Sequence, residues 1–258
     1  MNVQFAVKGD DVYVLEVNPR ASRTIPYVSK AIGKPLAKLA AQVMAGKKLK
    51  ELGFTEEIIP PYTSVKEVVL PFVRFRGVDI LLGPEMKSTG EVMGIDKDFG
   101  MAFAKAQLAA SSPLPLKGTI FISVKERDKE VILEIGKTLS EMQFNLVATE
   151  GTAAVLSRAG IPVQALKKIS EGSPNVIDLI QAGKIDLIIN TPAGQKPRVD
   201  EVKIRSYAVS RGISCVTTVQ GAIASVEGIK AMKKKDMKAV SLQAHHEKIK
   251  ARLEAVDV

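Results

Sequence analysis

The chain has 258 residues, of which 46% are hydrophobic and 25% charged, so its length and composition predict one or two globular domains. Its single cysteine, Cys215, and the lack of any apolar run near the ~20 residues that span a bilayer predict a cytoplasmic protein with no internal disulfide and no membrane partner. The formal charge of +9 predicts an anionic partner, but only 5% of residues are aromatic and none is tryptophan, which argues against nucleic acid and favours small phosphorylated ligands.

The amino-terminal residues alternate between polar and apolar side chains. Two such segments, residues 2–7 and 12–18, flank a Gly-Asp turn and predict a β-hairpin. With a loop of residues 9–11, Gln4 lies opposite Glu16 and Asn2 lies opposite Asn18. The apolar side chains then share the other face, which we expect to be buried. They are Val3, Phe5, Val7, Tyr13, Leu15 and Val17.

The polar face of this hairpin carries one carboxylate, Glu16, and three amides, among them Gln4 and Asn18. Such oxygen ligands hold Mg²⁺ beside a phosphate, although an ordinary solvated hairpin face can show the same spacing. Arg20 and Arg23 follow directly, and two guanidiniums beside such a carboxylate suit a bidentate grip on phosphate. These arginines favour the metal and phosphate interpretation.

The segments that follow the hairpin are less regular. Helical spacing predicts a helix over residues 36–44, after a break that contains glycine and proline. Residues 45–111 mix strands with proline and glycine, and they include an apolar stretch at 68–73 and a short helix at 103–110. Residues 111–118 are rich in structure breakers and lack periodicity, so we expect a linker at 112–118 between two domains.

Beyond the linker, apolar strands alternate with amphipathic helices. The predicted strands are 119–124, 146–148, 163–166, 185–190 and 213–217. The predicted helices are 128–144, 151–159, 175–182, 201–211 and 221–232. This order predicts an α/β fold whose five-stranded, doubly wound parallel sheet is covered by helices on both faces.

Polar side chains cluster where four of these strands end. In doubly wound sheets, ligands bind at the carboxyl ends of strands, where loops lead into helix amino termini. Singly, a threonine there could cap a helix and a lysine could face solvent. Together they predict a phosphate pocket, and the residues are Ser123, Lys129, Thr149, Thr152, Lys168 and Asn190.

Longer motifs carry a resemblance to a known family. The segments EVNPRASRT (16–24), PLAK (35–38), VMAGK (43–47), SVKE (64–67) and LGPEMKSTGEVMG (82–94) closely resemble the large chain of carbamoyl-phosphate synthases near its carboxyl terminus. The resemblance implies that residues 1–111 end the second ATP-grasp domain and that residues 119–258 form a methylglyoxal-synthase-like allosteric domain with a basic tail. We therefore expect a carboxyl-terminal portion that is inactive alone.

By this resemblance, the complete enzyme makes carbamoyl phosphate from bicarbonate, glutamine-derived ammonia and two ATP, for pyrimidine and arginine biosynthesis. Gln4, Glu16 and Asn18 would hold Mg²⁺ or Mn²⁺ against ATP, with K⁺ as a further candidate cation. Arg20 and Arg23 would grip carbamate or its phosphate. The implied partners are the remainder of the large chain and the glutaminase small chain, and a homo-oligomer is a candidate assembly.

The resemblance also implies a regulatory pocket for a nucleoside monophosphate, with uridine monophosphate as inhibitor and inosine monophosphate in an overlapping position. Its residues match the six polar side chains at the strand ends, but Pro192 stands where relatives carry a threonine. Glu67 and Thr217 match a neighbouring ornithine site, whose tyrosine is replaced by Cys215. A stand-alone nucleotide-binding module without catalysis is the alternative.

True methylglyoxal synthases share the second fold and use a Gly-Gly-Asp segment and a pocket histidine. Residues 171–175 contain no such aspartate. The two histidines, His245 and His246, lie in a terminal tail of lysines and glutamates, where we expect them to be solvated. We therefore expect no lyase activity, because no general base is in place.

Overall fold

The computed structural model describes residues 1–70, 80, 90–192 and 199–254. The predicted apolar stretch 68–73 and the motif at 82–94 lie partly outside these residues. The chain divides into two units, Met1–Tyr62 with Lys238–Val258, and Thr63–Met237. None of the described helices is both long and apolar enough to cross a membrane.

The described strands, in chain order, are β1 (Asn2–Lys8), β2 (Asp11–Asn18), β3 (Thr63–Val69), β4 (Gly90–Asp96), β5 (Thr119–Ser123), β6 (Asn145–Thr149), β7 (Gln164–Leu166), β8 (Leu187–Asn190) and β9 (Ser214–Val216). The described helices are α1 (Thr24–Ile32), α2 (Leu36–Met44), α3 (Phe99–Ala109), α4 (Lys129–Glu141), α5 (Glu150–Arg158), α6 (Val176–Gln181), α7 (Val199–Ser210), α8 (Val219–Lys234) and α9 (Leu242–Glu254).

Strands β1 and β2 form the predicted antiparallel hairpin. The predicted pairing of Gln4 with Glu16 is confirmed, as is that of the two asparagines at its open end. The predicted three-residue loop is wrong, because Lys8 pairs with Asp11 and the turn has two residues. A bulge compensates: the register shifts after Gln4, so that Phe5 pairs with Val14.

The predicted burial of the hairpin's apolar face is wrong. Seven large apolar side chains of the hairpin are each more than half exposed, namely Phe5, Val7, Val12, Tyr13, Val14, Leu15 and Val17. The predicted composition of the apolar face is also wrong, because the shifted register pairs Phe5 with Val14 and Val7 with Val12, whereas Tyr13 pairs with Ala6. Alternation determines which side chains share a face, but burial also requires a second layer packed on that face. The hairpin therefore presents an apolar surface.

Helix α2 is confirmed at residues 36–44, whereas the sequence patterns do not predict α1 or α9. Two side chains cap the last turn of α1: Tyr62 Oη donates to the Ala31 carbonyl at 2.7 Å, and His246 Nε2 lies 2.7 Å from the Lys30 carbonyl. His245 is buried and stacks edge-on against Tyr62 at 5.1 Å between ring centroids. The predicted solvation of His245 is therefore wrong, because α9 is a packed helix and not a free tail.

The second unit contains the predicted five-stranded parallel sheet, with strand order β7-β6-β5-β8-β9. Successive side chains of a strand point to opposite faces, so Ile120 and Ile122 join one buried cluster and Phe121 joins the other. Helices cover both faces. The chain runs outward from β5 to β7 and then returns to β8 on the other side of β5, which places a topological switch point between β5 and β8.

Helix α3 begins four residues before the predicted start, because Asp98 caps it by accepting a hydrogen bond from the Met101 amide at 2.8 Å. Glycine allows α3 and α8 to pack closely, since a Cβ atom on Gly100 would lie against the Glu227 carbonyl oxygen.

The predicted linker, residues 112–118, lies within this unit, and Ser214 Oγ donates a hydrogen bond to the backbone carbonyl of residue 113 at 2.8 Å. The division into an ATP-grasp part, a linker and a regulatory domain stays a prediction.

An ion-pair network joins β4 and α3 to the end of α8. Lys235 Nζ lies 2.8 Å from carboxylate oxygens of both Asp96 and Asp98, and Lys105 Nζ lies 2.9 Å from Asp96 Oδ2. Burial acts to raise the pKa of Asp96, but hydrogen bonds from Lys235 and Lys105 and from the Lys97 amide outweigh it and lower the pKa to about 2. Ionised Asp96 therefore stabilises the fold.

We expect Asp96→Asn to lower the free energy of unfolding at pH 7 by about 1–2 kcal/mol, allowing for solvent screening. The folded pKa lies below the unfolded value of 3.8, so this stability is present above pH 3.8 and is lost as pH falls through 2. Urea unfolding at pH 7 and pH 3 should show the difference from wild type reduced by about half at pH 3. Asp236→Asn, at an exposed aspartate nearby, is the control; a pH-independent difference would contradict the assignment.

Candidate functional site

An open cavity of about 1130 Å³ lies at the carboxyl edge of the parallel sheet. Its walls are the segments that follow β5, β6, β7 and β8, together with the first residues of α7. Five of the six predicted pocket residues line this cavity: Ser123, Lys129, Thr149, Thr152 and Lys168. The sheet topology therefore brings together residues that are up to 45 positions apart in sequence.

Hydroxyl groups hold the segment after β5 in place. The Lys125 amide donates to Thr191 Oγ1 at 3.1 Å, and the Val124 amide donates to Thr152 Oγ1 at 3.4 Å. Thr149 Oγ1 donates to Ser123 Oγ at 3.4 Å and does not cap α5. The first turn of α5 also lines the cavity, and its amide groups provide partial positive charge there.

The cavity lining carries charges of both signs. The cationic side chains are Lys125, Arg127, Lys129, Lys167 and Lys168, and the acidic ones are Glu126, Glu171, Asp200 and Glu201. Lys129 Nζ lies 2.6 Å from Glu126 Oε2, and Lys168 Nζ lies 3.2 Å from Glu171 Oε1. The Lys168 amide and side chain both hydrogen-bond Glu171 and lower the pKa of its carboxyl group.

Asn190 does not line the cavity. It is fully buried, and its Nδ2 donates to the Ser123 carbonyl at 3.2 Å, while its Oδ1 accepts from Arg205 Nη1 at 2.8 Å. Arg205 is also fully buried and lies 3.9 Å from Glu201. The sequence patterns do not point to Arg205, because nothing in a helical sequence shows that an arginine will bond to Asn190 on a strand.

The hairpin brings some of its predicted metal ligands together. Asn18 Nδ2 donates to Glu16 Oε1 at 2.9 Å, and Gln4 pairs with Glu16 across the strands. Arg20 Nη1 donates to the neighbouring Ala21 carbonyl at 3.2 Å, and Arg23 directly precedes α1. Within the described ranges, no group of three or more acidic, histidine or cysteine side chains could hold a metal.

A single carboxylate with two amides nevertheless fits a metal site in which a bound nucleotide supplies some of the ligands. Mg²⁺ takes about six oxygen ligands and usually keeps several waters and phosphate oxygens among them. The hairpin face can supply up to three of these ligands through Gln4, Glu16 and Asn18. The oxygen donors therefore fit a metal that a nucleotide also coordinates.

The predicted ornithine-site residues lie on β3 and just after β9. Glu67 of β3 accepts a hydrogen bond from Gln107 Nε2 at 2.9 Å. Burial raises the pKa of Glu67, against the effect of hydrogen bonds from the Val68 amide and Gln107. Thr217 directly follows β9, and no hydrogen bond joins it to Glu67 in the described part of the chain.

Two family models match this chain. The model of the MGS-like domain matches residues 131–217, and that of the carbamoyl-phosphate synthase L chain, ATP binding domain, matches residues 1–52. Carbamoyl phosphate synthase large chains from Archaeoglobus fulgidus and Pseudomonas aeruginosa are 52% and 53% identical to it, over 96% and 97% of this chain. The chain is a homologue of the carbamoyl phosphate synthase large chain.

The matched region is the carboxyl-terminal section of that large chain. The relative named "Carbamoyl phosphate synthase large chain, C-terminal section" from Methanocaldococcus jannaschii is 51% identical over 98% of this chain. The chain spans 23% of the length of the two whole large chains and 43% of that section.

Among solved structures, a methylglyoxal synthase from Elizabethkingia anophelis matches 44% of this chain and 79% of its own chain, at 15% identity. Its TM-score of 0.37 is too low to support a conclusion.

We expect Asn190→Ala to lower the free energy of unfolding by about 2–4 kcal/mol, because the buried guanidinium of Arg205 loses an acceptor. Asn145→Ala, at an exposed asparagine that begins β6, is the matched control and should have little effect. Arg205→Met added to Asn190→Ala should restore part of the loss, since the uncompensated charge is removed. Chemical denaturation measures all three, and wild-type stability of Asn190→Ala would show that the buried contact is dispensable.

Proposed function

We propose that this chain is the carboxyl-terminal part of a carbamoyl phosphate synthase large chain and that its cavity binds a nucleoside monophosphate that regulates the synthase. The observation that supports this most directly is the convergence of Lys129, Lys168 and the first turn of α5 on one cavity beside the hydroxyl groups of Ser123 and Thr149. Ammonium groups, helix amides and hydroxyl groups are the donors that bind a phosphate.

The size and polarity of the cavity suit a nucleotide. Ligand pockets are typically about 300–1,000 Å³, so this open cavity can accept a base and ribose beside a phosphate. Thr191 and Pro192 line the end of the cavity that follows β8. Pro192 cannot donate a hydrogen bond, so we infer weaker phosphate binding than in a chain with a hydroxyl at that position.

We also propose that the hairpin contributes to ATP-dependent phosphorylation of carbamate in the assembled enzyme. Gln4, Glu16 and Asn18 would hold Mg²⁺ or Mn²⁺, which when bound neutralises charge on the transferred phosphoryl group. Arg20 and Arg23 would bind the anionic substrate by charge-assisted hydrogen bonds. The hairpin's exposed apolar side chains favour this role over a stand-alone regulatory module, because a completed domain would cover them.

The proposed partners follow from this partial site. Glu16 is the one carboxylate paired with the proposed amide ligands, which is too little charge to hold a metal and ATP, so the remainder of the large chain would supply the rest. The glutaminase small chain would supply ammonia to the same assembly. The chain alone would then bind the effector without making carbamoyl phosphate.

We expect Lys168→Ala to weaken uridine monophosphate binding about tenfold, because a charge-assisted hydrogen bond to phosphate contributes roughly 1.5–3 kcal/mol. Lys184→Ala removes the same charge at an exposed lysine outside the cavity lining and should leave the affinity unchanged. Calorimetric titration with uridine and inosine monophosphates measures both variants. Absence of binding by the wild type would refute the regulatory pocket, and equal binding by the Lys168 variant would show that the phosphate lies elsewhere.

We expect Glu16→Gln, made in a complete or reconstituted synthase, to reduce carbamate phosphorylation by at least about a hundredfold, because it removes the charge that holds the metal. Asp11→Asn is the control, since it removes an exposed carboxylate from the same strand beside the turn. Carbamoyl phosphate formation at saturating Mg²⁺ is the measurement. Near-normal activity of the Glu16 variant would rule out the metal assignment.

A further inference from the structure

Lys129 and Lys168, the two cavity lysines that we propose for phosphate binding, each form an ion pair with a glutamate of the chain. Lys129 Nζ pairs with Glu126 Oε2 at 2.6 Å, and Lys168 Nζ pairs with Glu171 Oε1 at 3.2 Å. In both pairs the partners are three residues apart in sequence, and both glutamates line the cavity. The same ammonium groups that would bind an effector are therefore engaged by carboxylates of the chain itself.

A phosphate and a carboxylate compete for the same donors. An incoming phosphate must displace each glutamate from its lysine or bind beside it, and then the two like charges repel. We propose that Glu126 and Glu171 act as internal competitors for the effector's phosphate and so set its affinity. This inference rests on the proposed nucleotide-binding function of the cavity.

The two glutamates differ in how firmly they are held. The Glu126 side chain is 87% exposed, so it can move into solvent when a phosphate arrives, whereas its partner Lys129 is only 18% exposed. Glu171 also accepts a hydrogen bond from the Lys168 amide at 3.1 Å, which keeps the carboxylate beside the lysine. Glu171 should therefore oppose phosphate binding more strongly than Glu126.

Glutamine is the informative substitution at both positions. It keeps the side-chain length and, at Glu171, an oxygen that can accept from the Lys168 amide, but it removes the competing charge. We expect Glu126→Gln and Glu171→Gln each to tighten uridine monophosphate binding by about two- to fivefold, the effect of a solvent-accessible ion pair, with the larger effect at Glu171. The double variant should show about the product of the two effects.

Glu130→Gln is the matched control. Glu130 is an exposed glutamate next to Lys129 that does not line the cavity, so its substitution changes the net charge equally without removing a competitor. Titrations of the full chain with uridine monophosphate, and separately with inorganic phosphate, should be run at low and high salt. The increase in affinity of the Glu126 and Glu171 variants over wild type should be smaller at high salt, because screening weakens the pairing of exposed charges.

The outcomes separate this inference from the proposed function. Tighter binding by the Glu126 and Glu171 variants, with the Glu130 variant unchanged, supports internal competition. Wild-type binding with no gain in either variant overturns the inference and leaves the regulatory pocket intact. Weaker binding by the variants also overturns it, because the carboxylates would then contact the nucleotide directly. If neither nucleotide nor phosphate binds any of these proteins, the regulatory pocket and the inference both fail.

Discussion

The parallel direction of the five sheet strands is the constraint on which the candidate site depends. Because β5, β6, β7 and β8 all run the same way, their carboxyl ends meet at one edge, and residues far apart in sequence become neighbours. The strand order also reverses at β5 and β8, and doubly wound sheets bind their ligands at such a switch point. A sheet with one reversed strand would send one of these polar segments to the opposite edge.

Cationic side chains that lie close together at this edge repel one another, and ion pairs with neighbouring carboxylates reduce that repulsion. Cationic side chains from the two segments that follow β5 and β7 meet at the cavity, and several form ion pairs with carboxylates of the same segments. In the protein interior, Arg205 of α7 donates a hydrogen bond to Asn190 of β8, and Asn190 in turn donates one to the Ser123 carbonyl of β5. Burial of this arginine is tolerated because Asn190 accepts a hydrogen bond from it and the Glu201 carboxylate lies 3.9 Å away. Three of the lysines that line the cavity, Lys125, Lys129 and Lys168, are therefore already paired with carboxylates of the chain.

Most of the second unit could be predicted from sequence because its strands are apolar runs bounded by breakers. All five strands and their helices overlap the predicted ranges, and residues at the strand ends converge as topology requires. What could not be predicted depends on contacts between distant residues. Asn190 could be placed at a strand end, but its partnership with Arg205, which turns it away from the cavity, is a tertiary contact. The start of α1 contains Pro26, a residue tolerated in a first turn but equally typical of loops.

The two proposed sites of the chain, the cavity and the hairpin, differ in how many of the groups that they need come from the described residues. Every residue of the cavity lining lies between Ser123 and Ile204, inside one compact unit, and its hydroxyl, amide and charged groups already hold one another in position. At the hairpin, one carboxylate, that of Glu16, lies beside the predicted amide ligands, and large apolar side chains are exposed among the described residues. The proposed ligand of the cavity therefore meets groups that one unit positions by itself, whereas the proposed chemistry at the hairpin requires further oxygen ligands and a second layer. The proposed effector binding therefore depends on one unit of this chain, whereas the proposed catalytic role depends on structure beyond the hairpin.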